Sequence, residues 1–125
     1  MKILVVEDNL INLELFLALL EVKGHKTLKA LTGRKALELA QEHKPDIILM
    51  DIQLPQVDGW TTITNLRKNE KTKDIPIIAL TAHAMTGDRE KALNHGCNAY
   101  MSKPIDTRNF VSEIEKVYLA STRPE

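Results

Sequence analysis

A doubly wound α/β fold, a parallel sheet covered by helices on both faces, is predicted by three features of this 125-residue sequence. Short, almost wholly apolar runs recur along the chain, segments with helical apolar spacing lie between them, and the two alternate throughout. Runs of that kind suit strands buried on both faces, and a regular βα series implies right-handed crossovers within one sheet.

The first strand is read at Ile3 to Val6, ended by the acidic pair Glu7 and Asp8. Asn9 can accept a backbone N–H and open a helix over Leu10 to Val22, and Gly24 suits the left-handed cap beyond it. A weaker strand follows at Thr27 to Ala30, then a helix at Lys35 to Glu42 and a strand at Asp46 to Met50. Asp58 can start the helix over Trp60 to Arg67, and Ile75 to Leu80 forms the next strand. The series ends with a helix at Met85 to Asn94 closed by Gly96, a strand at Ala99 to Ser102, and a helix at Phe110 to Leu119 introduced by Asp106. The residues from Ser121 to Glu125 make a short tail after one domain over 1–120, with no linker or repeat.

The first helix carries more apolar surface than a core needs. Ile11, Leu15 and Leu19 form one stripe, and Leu10, Leu13, Leu17 and Leu20 form another, whereas one stripe suffices. The surplus is either extended core or a docking face.

Composition narrows the function. Hydrophobic residues make up 43% of the chain, with only five Gly and five Pro, as in a packed globule. Lys plus Arg equals Asp plus Glu at 17 each, which disfavours a nucleic-acid partner. The lone Cys97 cannot form an internal disulfide and fits a reducing cytoplasm. The run Leu15 to Leu20 is far shorter than the ~20 residues needed to span a bilayer, so no membrane association is expected.

The polar residues fall where such a fold binds ligands, outside the carboxyl ends of the strands at the switch in strand order. In the flavodoxin-like order 2-1-3-4-5, strands 1 and 3 flank that switch, so Asp8 and Asp51 are expected to face each other. Glu7 and Asp8 follow strand 1, Asp51 strand 3, Thr81 strand 4 and Lys103 strand 5. Three crowded carboxylates repel unless a cation sits among them, and Mg²⁺, which prefers oxygen ligands and bridges carboxylates to phosphoryl groups, suits the set. Lys103 and Thr81 add a cation and a hydroxyl able to meet phosphoryl oxygens, and Asp51 is the natural nucleophile. Taken singly each residue has an ordinary structural use, as turn former, cap or surface charge; it is their order at successive strand ends that points to chemistry.

Four stretches carry a family resemblance: Ile3-Leu4-Val5-Val6-Glu7-Asp8-Asn9; Asp46-Ile47-Ile48-Leu49-Met50-Asp51-Ile52-Gln53-Leu54-Pro55 with Asp58-Gly59; Pro76-Ile77-Ile78-Ala79-Leu80-Thr81-Ala82; and Tyr100-Met101-Ser102-Lys103-Pro104. From Lys2 to about Leu119 the chain resembles a CheY-like response-regulator receiver domain, and most of all the stand-alone DivK-type receivers. The resemblance implies Asp51 as phospho-acceptor, Glu7, Asp8 and the Gln53 backbone carbonyl beside it as Mg²⁺ ligands, and Thr81 and Lys103 as phosphoryl contacts. It further implies a cis Lys103-Pro104 bond and Tyr100 as a switch aromatic, read out near Met85 and the neighbouring helices. The implied partners are a histidine kinase or histidine phosphotransferase as donor and a downstream protein effector, with the chain a monomer or weak dimer. By the same resemblance it is a switch that catalyses its own phosphorylation and dephosphorylation rather than an enzyme.

Three other readings compete. A haloacid-dehalogenase-type phosphatase needs a second carboxylate two residues after its nucleophile, where this chain has Gln53. A nucleotide-binding role lacks a G-x-G-x-x-G or G-x-x-x-x-G-K-[ST] loop after strand 1. A receiver excised from a hybrid sensor kinase shares all the chemistry, and Met1 abutting the first strand favours the free-standing form over it.

Overall fold

The computed structural model describes residues 1–54, 59–81 and 88–122. They form β1 (Lys2–Val6), α1 (Leu10–Val22), β2 (Lys26–Ala30), α2 (Gly33–His43), β3 (Ile47–Asp51), α3 (Gly59–Lys68), β4 (Ile77–Thr81), α4 (Asp88–Asn94), β5 (Ala99–Ser102) and α5 (Phe110–Thr122). The five strands make one sheet in the order β2-β1-β3-β4-β5, every pair parallel. This is the predicted flavodoxin-like order, with β1 and β3 side by side at the switch point.

Strand alternation divides the apolar residues between two faces. Leu4, Val6, Ile48, Met50, Ile77 and Ala79 pack with Ala36, Ala40, Ile63, Leu66 and Ala92 from α2, α3 and α4. Ile3, Val5, Ile47, Leu49, Ile78 and Leu80 pack with Leu13, Phe16 and Leu20 of α1 and with Phe110, Val111 and Ile114 of α5. Phe16 and Phe110 stack with ring centroids 5.2 Å apart, joining α1 to α5.

Element boundaries shift for identifiable reasons. Asp46 does not begin β3, because its carboxylate accepts the Lys2 amide at 2.7 Å just ahead of the sheet. At the other end β3 includes Asp51, which pairs with Leu80. Nor does Ile75 begin β4, since its amide donates to the Thr72 carbonyl and its own carbonyl accepts from the Arg67 guanidinium at 2.7 Å. Asn9 caps α1 as predicted, accepting the Asn12 amide at 3.0 Å, and Gly24 and Gly96 have φ of 85° and 100°. Asp106 accepts the Arg108 amide one turn ahead of α5, which runs on through Ser121 and Thr122. Asp58 and the first residues of the helix predicted from Met85 lie outside the described residues.

In α1 the core side is Leu13, Phe16 and Leu20, so neither predicted stripe is the buried one as drawn. Leu10, Ile11, Leu15 and Val22 are exposed, while Leu17 and Leu19 are half-buried against the second core. The unused apolar surface is therefore the Ile11–Leu15 side with Leu10, and Leu17 does not belong to it.

Gly59 marks the tightest packing near the switch point. A Cβ there would stand 2.6 Å from Ile52 Cα and 2.7 Å from the Asp51 carbonyl oxygen, both backbone atoms. A Cβ at Gly24 would meet nothing within 4 Å and faces only the cost of φ +85°. Gly59→Ala is accordingly expected to destabilise the domain by about 1–3 kcal/mol or more through overpacking. Gly24→Ala is expected to cost about 1–2 kcal/mol from the left-handed backbone alone. Urea unfolding of both variants checks the pair, and only Gly59→Ala is expected to disturb residues around Asp51.

Candidate functional site

The site is assembled by strand register. Because β1, β3 and β4 end level with one another, the residues that follow or close them meet at one edge. The Glu7 amide continues the ladder of β1 by donating to the Ala30 carbonyl at 3.0 Å, and its side chain is fully buried. Asp8, next in the chain, is exposed. Asp51 is 1% exposed at the end of β3, and Thr81 is buried at the end of β4. The Lys103 amide donates to the Thr81 carbonyl at 2.7 Å, which fixes where its side chain starts. The Lys103-Pro104 bond is cis, as the resemblance implied.

Glu7, Asp8 and Asp51 each offer one carboxylate oxygen to a cluster whose members all lie within 4.8 Å of one another. Lys103 Nζ stands 3.1 Å from Asp51 Oδ2 and 3.1 Å from Glu7 Oε1. The Gln53 amide donates to Asp51 Oδ1 at 3.0 Å, so both Asp51 oxygens are engaged and the Gln53 backbone adjoins the cluster. Glu7 Oε2 lies 3.4 Å from the Asn9 amide and Oε1 3.5 Å from Asn12 Nδ2, so the cap of α1 also touches the site. Asn12 was not singled out from the sequence; its place one turn inside a helix that starts two residues after an acidic pair was the available signal.

The electrostatics follow from crowding. Burial, then the hydrogen bond and negative charge of Asp51, push the Glu7 carboxyl up to about 7, although Lys103 pulls the other way. Burial works against the charge on Lys103, but its hydrogen bonds and ion pairs to Glu7 and Asp51 outweigh that and raise its pKa. Three oxygen donors with too little positive charge among them fit a hard divalent cation such as Mg²⁺.

Tyr100 is half-buried on β5, packs against the first core, and lines one surface cavity together with Arg89 and Leu93 of α4. The Met85 part of the predicted readout surface, with Pro55 and Ala82 of the quoted stretches, lies outside the described residues.

Comparison with known proteins decides the family. The response regulator receiver domain profile matches residues 3–115. The chain belongs to the response-regulator receiver family. It is 48% identical over 118 residues to the polar-differentiation response regulator DivK of Brucella ovis, covering 94% of this receiver and 95% of that protein. The DivK of Brucella anthropi is 47% identical over the same length. Among solved structures, a response regulator from Chloroflexus aurantiacus superposes with a TM-score of 0.89 at 27% identity, covering 94% of this chain and 97% of that one. The receiver domain of a sensor histidine kinase from Pseudomonas aeruginosa, solved with a magnesium ion coordinated in its active-site cleft, gives 0.85 at 36% identity, covering 94% and 96%. Receivers are the response elements of two-component phosphorelays, and this one carries the acidic cluster where its β1 and β3 end. Among the described residues no helix is long and apolar enough to cross a membrane.

The raised Glu7 pKa gives this receiver a pH signature. The folded carboxyl keeps its proton to about 7 against an ordinary value of 4.5, so the folded state binds more protons than the unfolded one between those values. This contribution is fully present below 4.5 and is lost as pH rises through about 7. Without divalent cations, the urea midpoint is expected to fall across that window, and Glu7→Gln is expected to flatten the fall. Lys103 does not interfere, because its raised pKa keeps it charged throughout. Denaturation at pH 5 and pH 7.5 in EDTA measures the difference; equal slopes for wild type and Glu7→Gln would contradict the assignment.

Proposed function

We propose that this receiver is a stand-alone cytoplasmic switch that accepts a phosphoryl group from a phosphohistidine onto Asp51, with Mg²⁺, and thereby changes its protein partner. The observation that carries the reading is the state of Asp51. It is a nearly buried carboxylate at the strand switch point, with one oxygen on the Gln53 amide, the other on Lys103, and Glu7 and Asp8 beside it. The 48% identity to a DivK protein, against 36% to the receiver of a sensor histidine kinase, supports a DivK-type switch.

In this reading an Asp51 oxygen bonds to phosphorus as the N–P bond breaks, and the donor's imidazole leaves with that electron pair. Lys103 passes from the carboxylates to a phosphoryl oxygen, while the Thr81 hydroxyl, buried at the neighbouring strand end, meets another. Glu7, Asp8, Asp51 and the Gln53 carbonyl would hold Mg²⁺, which supplies positive charge against the negative phosphoryl when bound. Such transfer depends on positioning and charge stabilisation, which a preformed set of strand ends provides. The receiver does not turn over a separate substrate; it carries out its own phosphorylation and hydrolysis. Thr81 and Tyr100 then pass the change to the face formed by α4, β5 and α5, where the effector binds.

The donor's docking surface follows from α1. Leu10, Ile11 and Leu15 are exposed apolar residues, and Leu15 borders an open cavity of about 360 Å³ that is also lined by Asn12, Phe16, Lys103, Pro104 and Ile105. An apolar helix face leading to Lys103 suits the helices of a phosphotransferase.

Two outcomes are expected. Incubation with acetyl phosphate and Mg²⁺ yields an acid-stable, hydroxylamine-labile adduct, and both Asp51→Asn and EDTA abolish it; undiminished labelling in either would refute the acceptor or the metal. Ile11→Glu and Leu10→Glu slow transfer from a histidine phosphotransferase by about tenfold or more, the scale of losing an interface anchor, and leave labelling by acetyl phosphate unchanged. Equal slowing with both donors would place the effect in the site rather than in docking.

A further inference from the structure

Behind the site, α3 begins without slack. The Gly59 amide donates to the Ile52 carbonyl at 3.0 Å, and the Asp51–Ile52 backbone fills the space where a Cβ would go. The next residue is Trp60, the chain's single tryptophan, half-buried at the first turn of α3. Its ring faces α4. Lys91 Nζ lies over it, 5.0 Å from the centroid, and the His95 ring is 4.9 Å away at 41°.

Lys91 lies in α4 and His95 directly follows its last residue, the His95 amide still donating to the Lys91 carbonyl at 3.0 Å, so the two project to the same side. His95 Nδ1 stands 2.8 Å from the Lys91 carbonyl oxygen. That oxygen can only accept, so Nδ1 carries a proton and the imidazole is held against the indole. Of the described α4 side chains from Arg89 to Asn94 only Ala92 is buried, packing into the core next to β5. The contacts of Lys91 and His95 with Trp60 add a second anchor, on α3.

The other end of the path responds whichever oxygen of Asp51 reacts. Oδ1 accepts from the Gln53 amide and Oδ2 from Lys103, and an oxygen made part of an acyl phosphate becomes a poorer acceptor. Either the turn at Gln53 or the Lys103 tether must then rearrange. We propose that Trp60 couples Asp51 to α4: rearrangement of the Asp51–Ile52 strand end moves Gly59, and Trp60 shifts beneath Lys91 and His95, resetting the helix. The coupling rests on Asp51 being the phospho-acceptor and runs beside the Thr81–Tyr100 route.

Hydrogen exchange of α4 tests it, with and without acetyl phosphate and Mg²⁺, intact mass on the same samples giving the adduct yield. Trp60→Leu keeps an apolar filler and removes the ring. The double variant Lys91→Gln with His95→Gln releases the grip from the α4 side without entering the core, and serves if Trp60→Leu folds poorly. In both, exchange of α4 before phosphorylation is expected to rise about five- to tenfold, the equivalent of one cation–π contact plus one ring pair. The phosphorylation-dependent change in α4 is expected to shrink to less than half, while Thr81→Ala alone leaves part of it. Exchange and response in the double variant equal to wild type, at equal adduct yield, would overturn the coupling. Absence of adduct in the wild type would instead overturn the acceptor reading beneath it.

Discussion

One ammonium group organises the end of this sheet. Lys103 Nζ sits 3.1 Å from carboxylate oxygens on two different strand ends, those of Glu7 and Asp51, and both side chains are essentially out of water. Two buried carboxylates beside a third cannot all be ionised at small cost, and a single lysine offsets only part of their repulsion. The arrangement persists because the backbone pairings of β1, β3 and β4 hold the groups where they are, with the Lys103 amide bonded to the Thr81 carbonyl at 2.7 Å. A site assembled this way is short of positive charge before any ligand arrives. Such a site fits a hard cation better than a further anion.

The same crowding explains why the surroundings are so tightly fitted. Gln53 and Lys103 each bond one Asp51 oxygen, Asn9 and Asn12 lie against Glu7, and Gly59 leaves no Cβ where α3 presses against the strand. Farther from the chemistry the contacts are looser and more polar. Arg67, which donates to the carbonyls of Lys73, Ile75 and Gly96 and to Asn98 Oδ1, holds the approaches to β4 and β5 in place. Those bonds set where the two strands begin, and therefore how far Thr81 and Lys103 reach.

Much of this was legible in the sequence because strand ends announce themselves by chemistry: apolar runs stop at Glu7, Asp51, Thr81 and Lys103, and topology carries those stops to one edge. The order of these residues along one edge needed no long-range knowledge beyond the βα alternation, whereas their burial did. What stayed hidden depends on contacts between elements. The buried side of α1 includes Phe16, which period counting among leucines passed over because its partner, Phe110, is far away in the chain. Ile75 reads as strand, yet its carbonyl is taken by Arg67 and β4 starts only at Ile77. The left-handed Lys44 that ends α2, at φ 46°, has no glycine to signal it. The meeting of Trp60 with His95 joins residues whose spacing carries no motif.

The stack of Phe16 on Phe110 bears on how the chain comes into being. α1 and α5 lie near opposite ends of the sequence, yet they cover the same face of the sheet and complete one core. A ribosome delivers α1 well before α5, so the apolar side of α1 and that face of the central strands lack part of their cover until the chain through α5 has emerged. Synthesis at roughly 5–20 residues per second leaves that surface bare for several seconds. The core that α1 lines therefore closes only once the chain through α5 has emerged.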